Sequence, residues 1–531
     1  MAEPPATPPA ELVQQLESYA TAPGPPDQLV QLLRPPRLGL RSTPSLRRDY
    51  GGCTGFWPSL EKVWQVEAGR LEQDEKDSIP AVTALAAFVL SLCTANEVNQ
   101  ESALTYIEPH LRRILLAASS LVNFENGEYT TMTRVCCQTL ANLVTANDGI
   151  GGRYFSQRLR DEEEDKLLQR LLASPDHGTL QAVLIFLLNS IHDNRERAML
   201  LATTPAGAAI LDRLMVLVGA LFEGETAEGI AHGEFTSDIF QISFAIIQQL
   251  ISLEAFVPAY EGHALMPGFS ISPTLVTMLK FLDGHLSLAG QATTPSSLAL
   301  VPFLIRQLIA LGTSVMEQKE RAMDAADAAT FQGVVLVLHC LVSIGLALDS
   351  QEEGQRVEAR EEAESKMVKG VEAVVRLLRF SQTLMPPPTP RLTPPTSKNG
   401  TDAASTAISD TSSAPTPSPE VSAAVAQLQR LSAQFLGIVS FIPPAGVTYT
   451  MKARAKAAQD KVRECGGLEL LLSMCQIDER NPTMREHALF AIRNLLRNNQ
   501  TNQDFVDGMK PQYRVGANGE LFDLPPALRT G

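Results

Sequence analysis

A chain that breaks into short helices, each with an apolar stripe too small to bury alone, has few ways to fold. Residues 462–506 show this pattern most clearly, as a helix, a Gly-Gly break, a helix, an Asn-Pro break and a longer helix. Gly466 and Gly467 can close a helix C-terminus, because glycine adopts the left-handed conformation without a Cβ penalty. Asn481 can cap the next helix, and Pro482 suits a first turn, where a missing N–H costs nothing. Met484, Ala488, Ala491, Ile492 and Leu495 then recur at helical spacing as one stripe. Such a three-helix unit predicts neighbours stacked on either side, the grammar of an armadillo-type repeat.

The rest of the chain fits that frame. With 531 residues there is material for several cores, and the 44% hydrophobic content is rich in Leu and Ala but only 6% aromatic, as interlocking helices require. From Phe56 to about Phe380 helix follows helix with no strand–turn–strand signal; Ser78 with Pro80 opens one that runs to Cys93. Helices ending near Asn142–Asn147 and Asn189–Asn194 carry two asparagines five apart, as do Asn494 and Asn499, and Asn96 matches the second of the pair. These spacings lie near the ~40–47-residue period of armadillo and HEAT repeats. Beyond residue 200 the period blurs, though 241–253, 298–311 and 331–348 still read as strong helices. The charged stretch 351–369 reads as a solvated helix or an outlying arm.

Five segments are expected. Residues 1–50 read as a proline-rich, loosely attached arm, with helices broken at Pro35, Pro36 and Pro44. Helical repeats fill 51–384. Residues 385–420 are rich in Pro, Ser and Thr and cannot bury a core, so they read as a disordered loop inserted between repeats. The last repeat occupies 421–507 and a tail follows at 508–531. The inserted loop offers proline-directed phosphoacceptors at Thr389, Thr393, Thr416 and Ser418; an SH3- or WW-type ligand is the weaker reading.

The net charge of −15 argues against nucleic acid and against an anionic membrane surface, both of which need clustered Lys and Arg. The longest apolar run, 334–348, falls short of the ~20 residues of a membrane span, so no membrane insertion is expected. No secretory signal opens the chain. Seven scattered cysteines without a C-x-x-C pair read as reduced thiols in an intracellular, cytoplasmic protein. No phosphate-binding glycine loop, nucleophile elbow, H-E-x-x-H or zinc-spaced Cys/His set occurs. The expectation is therefore no enzyme, no cofactor and no metal. The acidic run 161–165 suits a helix N-terminus better than a metal, His487 reads as a satisfied helix residue, and Cys465 and Cys475 read as structural thiols.

The segment from Leu472 resembles the C-terminal domain of the ataxin-10 family. The residues that carry the likeness are Leu472, Cys475, Ile477, Asp478, Asn481, Pro482, Arg485, Glu486, His487, Ala488, Ala491, Ile492, Arg493, Asn494 and Leu495, extended by Asn502 and Gln503. The resemblance implies an armadillo-like fold, protein partners, roles in cytokinesis and cell survival, and a capacity for self-association.

One polar feature has a mechanism of its own. Asn494 should border the apolar stripe and share a face with Glu486, His487, Phe490 and Arg493; Asn142 and Asn189 hold the matching positions in their helices. An amide offers both donor and acceptor, as gripping an extended peptide requires, and armadillo proteins similar to importin-alpha and beta-catenin use a third-helix asparagine so. Importin-like repeats add a tryptophan one turn earlier, where this chain has Gln138, Ile185 and Phe490. The structural reading of the same asparagines is bonding to neighbouring loops, and Asn147, Asn194 and Asn499 read as caps ending their helices. The sequence thus predicts an all-α, right-handed superhelix of armadillo/HEAT-like repeats. Its function reads as a non-catalytic cytoplasmic scaffold for protein partners; the alternative is an importin-like receptor for extended basic peptides.

Overall fold

The structure, a computed structural model, describes residues 7–124, 126–160, 166–227, 235–263, 271–317, 325–350, 357–387, 419–442, 448–509, 513–515 and 521–523. The four candidate phosphoacceptors Thr389, Thr393, Thr416 and Ser418 and the acidic run 161–165 lie outside these residues. Two compact units divide the chain: Met1–Ala264 with Pro273–Phe281, and Leu265–Ser272 with Leu282–Gly531. Each stacks amphipathic helices in the all-α, armadillo/HEAT-like manner that the sequence predicts.

In the first unit a row of helices forms the inner layer: Pro26–Ser42, Ile79–Cys93, Gly127–Val144, His177–Ile191 and Phe235–Ser252, each packed on the next. Shorter helices flank the row and bury its outer stripe. Residues 7–50 are part of this stack, not a loose arm. Helix Pro26–Ser42 continues through Pro35 and Pro36, because Leu29, Leu33 and Leu40 are fully buried along it. Burial at about 1.5–3 kcal/mol per side chain offsets the roughly 3 kcal/mol that an interior proline costs. Polar ties hold the segment as well. Tyr19 donates to Glu67 (2.8 Å), Arg70 donates to Glu67 (3.0 Å) and to the Gly24 carbonyl (3.0 Å), and Tyr50 donates to the Thr7 carbonyl (2.6 Å).

The asparagine repeat marks a recurring corner. At Cys93–Asn96, Val144–Asn147, Ile191–Asn194 and Leu496–Asn499 the fourth residue's N–H bonds the first carbonyl at 3.2, 3.4, 3.1 and 3.4 Å. The second residue is extended and the third has positive φ: Ala95 51°, Ala146 53°, Asp193 48° and Asn498 56°. This is a type II turn, in which glycine is favoured at the third position. Asn96, Asn194 and Asn499 then accept from the N–H three residues on, at 3.1, 3.0 and 3.1 Å. They cap the start of the following helix rather than the end of the preceding one, because the turn has already closed that end. Asn147 instead donates to Gln100 (3.1 Å). Since Ala146 is exposed and left-handed, Ala146→Gly should raise stability by about 0.5–1 kcal/mol, read as an upward shift in the denaturation midpoint. A fall would refute the strain argument.

In the second unit the corresponding row is Val301–Glu317, Ala325–Asp349, Pro419–Val439 and Met484–Leu496. Pro419–Val439 packs on both Ala325–Asp349 and Val371–Leu384, so the helices on either side of 385–420 share one unit, and the division of the chain falls near 264–282 instead. The charged helix Val357–Val368 is not an outlying arm. Ala363 and Met367 are buried, Glu364 pairs with Arg454, and Glu361 accepts from Thr448 (2.9 Å) and Thr450 (2.7 Å). In the tail, Tyr513–Val515 pairs antiparallel with Leu521–Asp523, a hairpin that the helical reading of the chain did not include.

Among the described residues three helices, Lys76–Cys93, Pro295–Glu317 and Ala328–Asp349, are long and apolar enough to cross a membrane by length and composition. The apolar run at 334–348 thus sits within a longer helix. In each, half or more of the most apolar stretch is buried among the protein's own helices.

A titratable contact gives the second unit a pH signature. His339 Nδ1 lies 2.6 Å from Asp283 Oδ1, and this hydrogen bond raises the His339 pKa above its ordinary value, against the opposing effect of burial. A raised folded-state pKa adds stability that is complete below the unfolded value, near 6.5, and is lost as pH rises through the folded value. Wild type minus His339→Gln stability should therefore shrink between mildly acidic and mildly alkaline pH; a difference that grows with pH contradicts the assignment. Comparison with the variant is needed because burial lowers the pKa of His110, His285 and His487, which gives the opposite slope.

Candidate functional site

The third-helix asparagines face their own stack. Asn142 Nδ2 donates to the Leu90 carbonyl (2.8 Å) and Thr94 Oγ1 (3.2 Å), and Asn189 Nδ2 donates to Thr145 Oγ1 (2.8 Å). In the second unit Asn494 Nδ2 donates to the Gly437 carbonyl (3.0 Å). Each amide reaches back to the row helix before it, or to the turn that ends that helix. Gln249 continues the series by accepting from the Asp193 N–H (3.1 Å), a rung hidden from the sequence by its change of residue type. Asn142 and Asn189 remain half-buried, but Asn494 is 2% exposed. It is not on the polar face that the helical spacing assigned to it, since Pro419–Val439 packs over that edge of the helix.

Among the described residues a buried clamp lies beneath the row in each unit. Gln100 Nε2 donates to the carbonyls of Asn142 (2.7 Å) and Thr145 (3.1 Å) and its Oε1 accepts from Asn147 (3.1 Å). Gln459 Nε2 does the same with Asn494 (2.9 Å) and Arg497 (3.2 Å), and its Oε1 accepts from Asn499 (3.1 Å). A glutamine from the repeat's first helix thus satisfies carbonyls that the end of the third helix leaves open. Asn481 also works internally: it is buried and donates to the Ala426 carbonyl (3.1 Å), so it does not cap helix Met484–Leu496, whose N-cap Thr483 makes no side-chain bond.

What helix Met484–Leu496 shows to solvent is a separate strip. Met484, Ala488, Ala491, Ile492 and Leu495 are buried as the stripe predicts. Opposite them Glu486, Leu489, Phe490 and Arg493 are exposed, with Leu489 at 47% and Phe490 at 40%. Three of these four were legible as candidates. Leu489 was missed, although it stands three residues after Glu486 and four before Arg493, the spacing of one helix face. Phe490 is set from below by Gly437, where a Cβ would lie 3.0 Å from its ring. His487 is half-buried beside Gln434; burial, then Arg430, lowers its pKa, which keeps it neutral at pH 7. In the loop before this helix Ile477 is 74% exposed, and the neighbouring Asp478 is held by Arg480 at 2.8 Å.

The first unit's row presents a different surface. Gln138, Thr145, Ile185 and His192 are exposed beside Asn142 and Asn189, with the Asp193 carboxylate exposed next to His192. All seven cysteines are free, and burial raises the thiol pKa of Cys136 to about 12 and pushes Cys93 and Cys340 up. Among the described residues no group of three or more His, Cys, Asp or Glu could hold a metal ion.

These features define a helical-repeat protein whose last repeat carries an exposed apolar strip. Residues 447–524, which hold that repeat and reach into the hairpin, match the family described as the spinocerebellar ataxia type 10 protein domain. The C-terminal domain belongs to the ataxin-10 family, as the residues from Leu472 onward imply. The chain is 44% identical over 66 residues to the ataxin-10 homolog of Dictyostelium discoideum, covering 12% of this chain and 11% of that protein. It is 46% identical over 65 residues to the Kluyveromyces lactis homolog, covering 12% of each. It is 44% identical over 57 residues to ataxin-10 of Xenopus tropicalis, covering 11% of this chain and 12% of that one. The match thus spans about a tenth of the length of these relatives. Among solved structures, the crystal structure of SYS-1 covers 93% of this chain and all of its own at 11% identity and TM-score 0.36. A structure from work on the interaction between cadherin and beta-catenin covers 91% of this chain and 78% of its own at 13% identity and TM-score 0.30. The fold assignment rests on the packed helices and corners described above.

Proposed function

We propose that the protein is a non-catalytic cytoplasmic scaffold whose C-terminal repeat docks protein partners, and that it acts in cell division as the ataxin-10 resemblance implies. The observation that carries this reading is the strip Glu486–Leu489–Phe490–Arg493. It exposes two large apolar side chains between charges of both signs, on a helix whose opposite face is rigidly packed, and interfaces commonly combine such an apolar centre with a polar rim. The importin-like alternative has less support, because the asparagine donors are already bonded within the stack. The test is Leu489→Asp, a surface change that should leave helicity and the unfolding midpoint within error. Wild type and variant are compared for the proteins that co-purify and for rescue of division in cells depleted of the chain. An unchanged partner set together with full rescue would remove the strip from the function.

A further inference from the structure

We infer that the second unit holds a separate docking slot for an acidic segment of a partner protein, one that carries a single large apolar side chain between two carboxylates. The slot lies between helices Val301–Glu317 and Val371–Leu384. These are other elements than the strip of the last row helix, so the two sites stand or fall separately.

Both walls follow from helical spacing. Ile309, Gly312 and Met316 line one side, and Lys369, Ala373 and Arg376 line the other. Steps of three and four residues keep each set on one face for two turns. Gly312 gives the slot its depth: it has no side chain, and a Cβ there would lie 3.2 Å from a methyl group of the buried Leu377. The cavity is about 150 Å³, a volume that takes one benzene-sized group, so it admits one Leu, Met or Phe side chain. Ile309 is 44% exposed at its edge, apolar surface that a seated side chain would cover.

The rim decides the charge of the partner. In a chain of net charge −15, the exposed Lys369 and Arg376 make no side-chain hydrogen bond or ion pair among the described residues. Glu372, the one carboxylate lining the slot, is taken by Lys461 at 3.0 Å. Arg376, one turn on, acts on Glu372 only as a smaller through-space charge. Two cations are therefore left for an anionic partner. They are seven residues apart, roughly 10 Å along a helix face, and an extended chain covers that span in about three residues. The geometry selects two Asp or Glu residues about three positions apart with the apolar anchor between them. An apolar centre inside a polar rim is how docking surfaces are commonly built.

The probe is a short fluorescein-labelled peptide with Glu-Phe-Ala-Glu in a Gly/Ser background, titrated with the full chain and read by fluorescence anisotropy. Wild type should bind it, more weakly as salt rises, and about tenfold or more tighter than peptides with Gly for Phe or Lys for both Glu. Arg376→Glu and Ile309→Asp are surface changes that should leave the unfolding midpoint within error. Each should weaken binding about tenfold or more. Replacing one Glu of the peptide by Lys should recover binding to Arg376→Glu at one of the two positions, which fixes the direction of the peptide. Leu489→Asp should bind as wild type does. No binding to wild type overturns the inference, as does binding indifferent to the Phe, to Arg376→Glu or to Ile309→Asp. Binding lost in Leu489→Asp alone would place the peptide on the last row helix, which sinks the slot and leaves the docking role of the strip intact.

Discussion

Gln459→Ala is expected to destabilise the second unit by about 2–4 kcal/mol, although Gln459 touches no surface. Its side chain is fully buried. Its Nε2 serves the carbonyls of Asn494, Arg497 and Ser440 (2.9, 3.2 and 3.3 Å), while Oε1 takes the Asn499 amide. Alanine removes the donor from all three carbonyls at once and leaves them buried without it. Gln459→Glu should be no better, because a carboxylate cannot donate to them and becomes a buried charge. Lys456→Ala, on the exposed side of the same helix, serves as control and should stay within about 0.5 kcal/mol. Hydrogen exchange of 484–507 reads the effect locally, which matters in a chain of two units that need not unfold together. If exchange there is unchanged in Gln459→Ala, the clamp is not holding the repeat.

Gly207→Ala is the second large effect. The sharp bend between helices Arg195–Thr203 and Pro205–Ala227, 82°, brings the start of the second helix against the end of the first. A Cβ on Gly207 would lie 2.3 Å from the Leu201 carbonyl oxygen and 2.7 Å from its carbon. Both are backbone atoms, which cannot swing aside as a side chain can, so the corner must open. We expect a loss of at least about 3 kcal/mol from the first unit. Gly69→Ala is the informative partner: Gly69 is within helix Phe56–Glu72, a Cβ there meets nothing within 4 Å, and the same substitution should stabilise by about 0.5–1 kcal/mol. Thermal midpoints that move in the same direction for both would show that helix propensity, not the corner, decides.

Much of the fold was legible because helical periodicity is a local property. The stripe Met484–Ala488–Ala491–Ile492–Leu495 follows from spacing alone, and it is buried as written. The asparagines were legible as a repeat, but their purpose was not. One residue type serves two jobs five positions apart, a bond back to the preceding rung and a cap on the next helix, and only the type II corner separates them. The clamp was invisible because Gln100 and Gln459 sit in helices 42 and 35 residues before the carbonyls they serve, with no shared motif around them.

The amino-acid sequence alone determined that the chain is helical, that its helices come in repeats, and that its end carries an ataxin-10 domain, since each depends on neighbours within a few turns. Tertiary structure decided the rest. It drew Pro35 and Pro36 into a continuous helix, folded the charged segment after 356 into the second unit, turned Asn494 inward and left Leu489 outward. Those outcomes depend on which distant surface arrives to cover a side chain. Burial free energy, of the order of 1.5–3 kcal/mol per large apolar residue, is enough to overrule local preferences worth 1–3 kcal/mol.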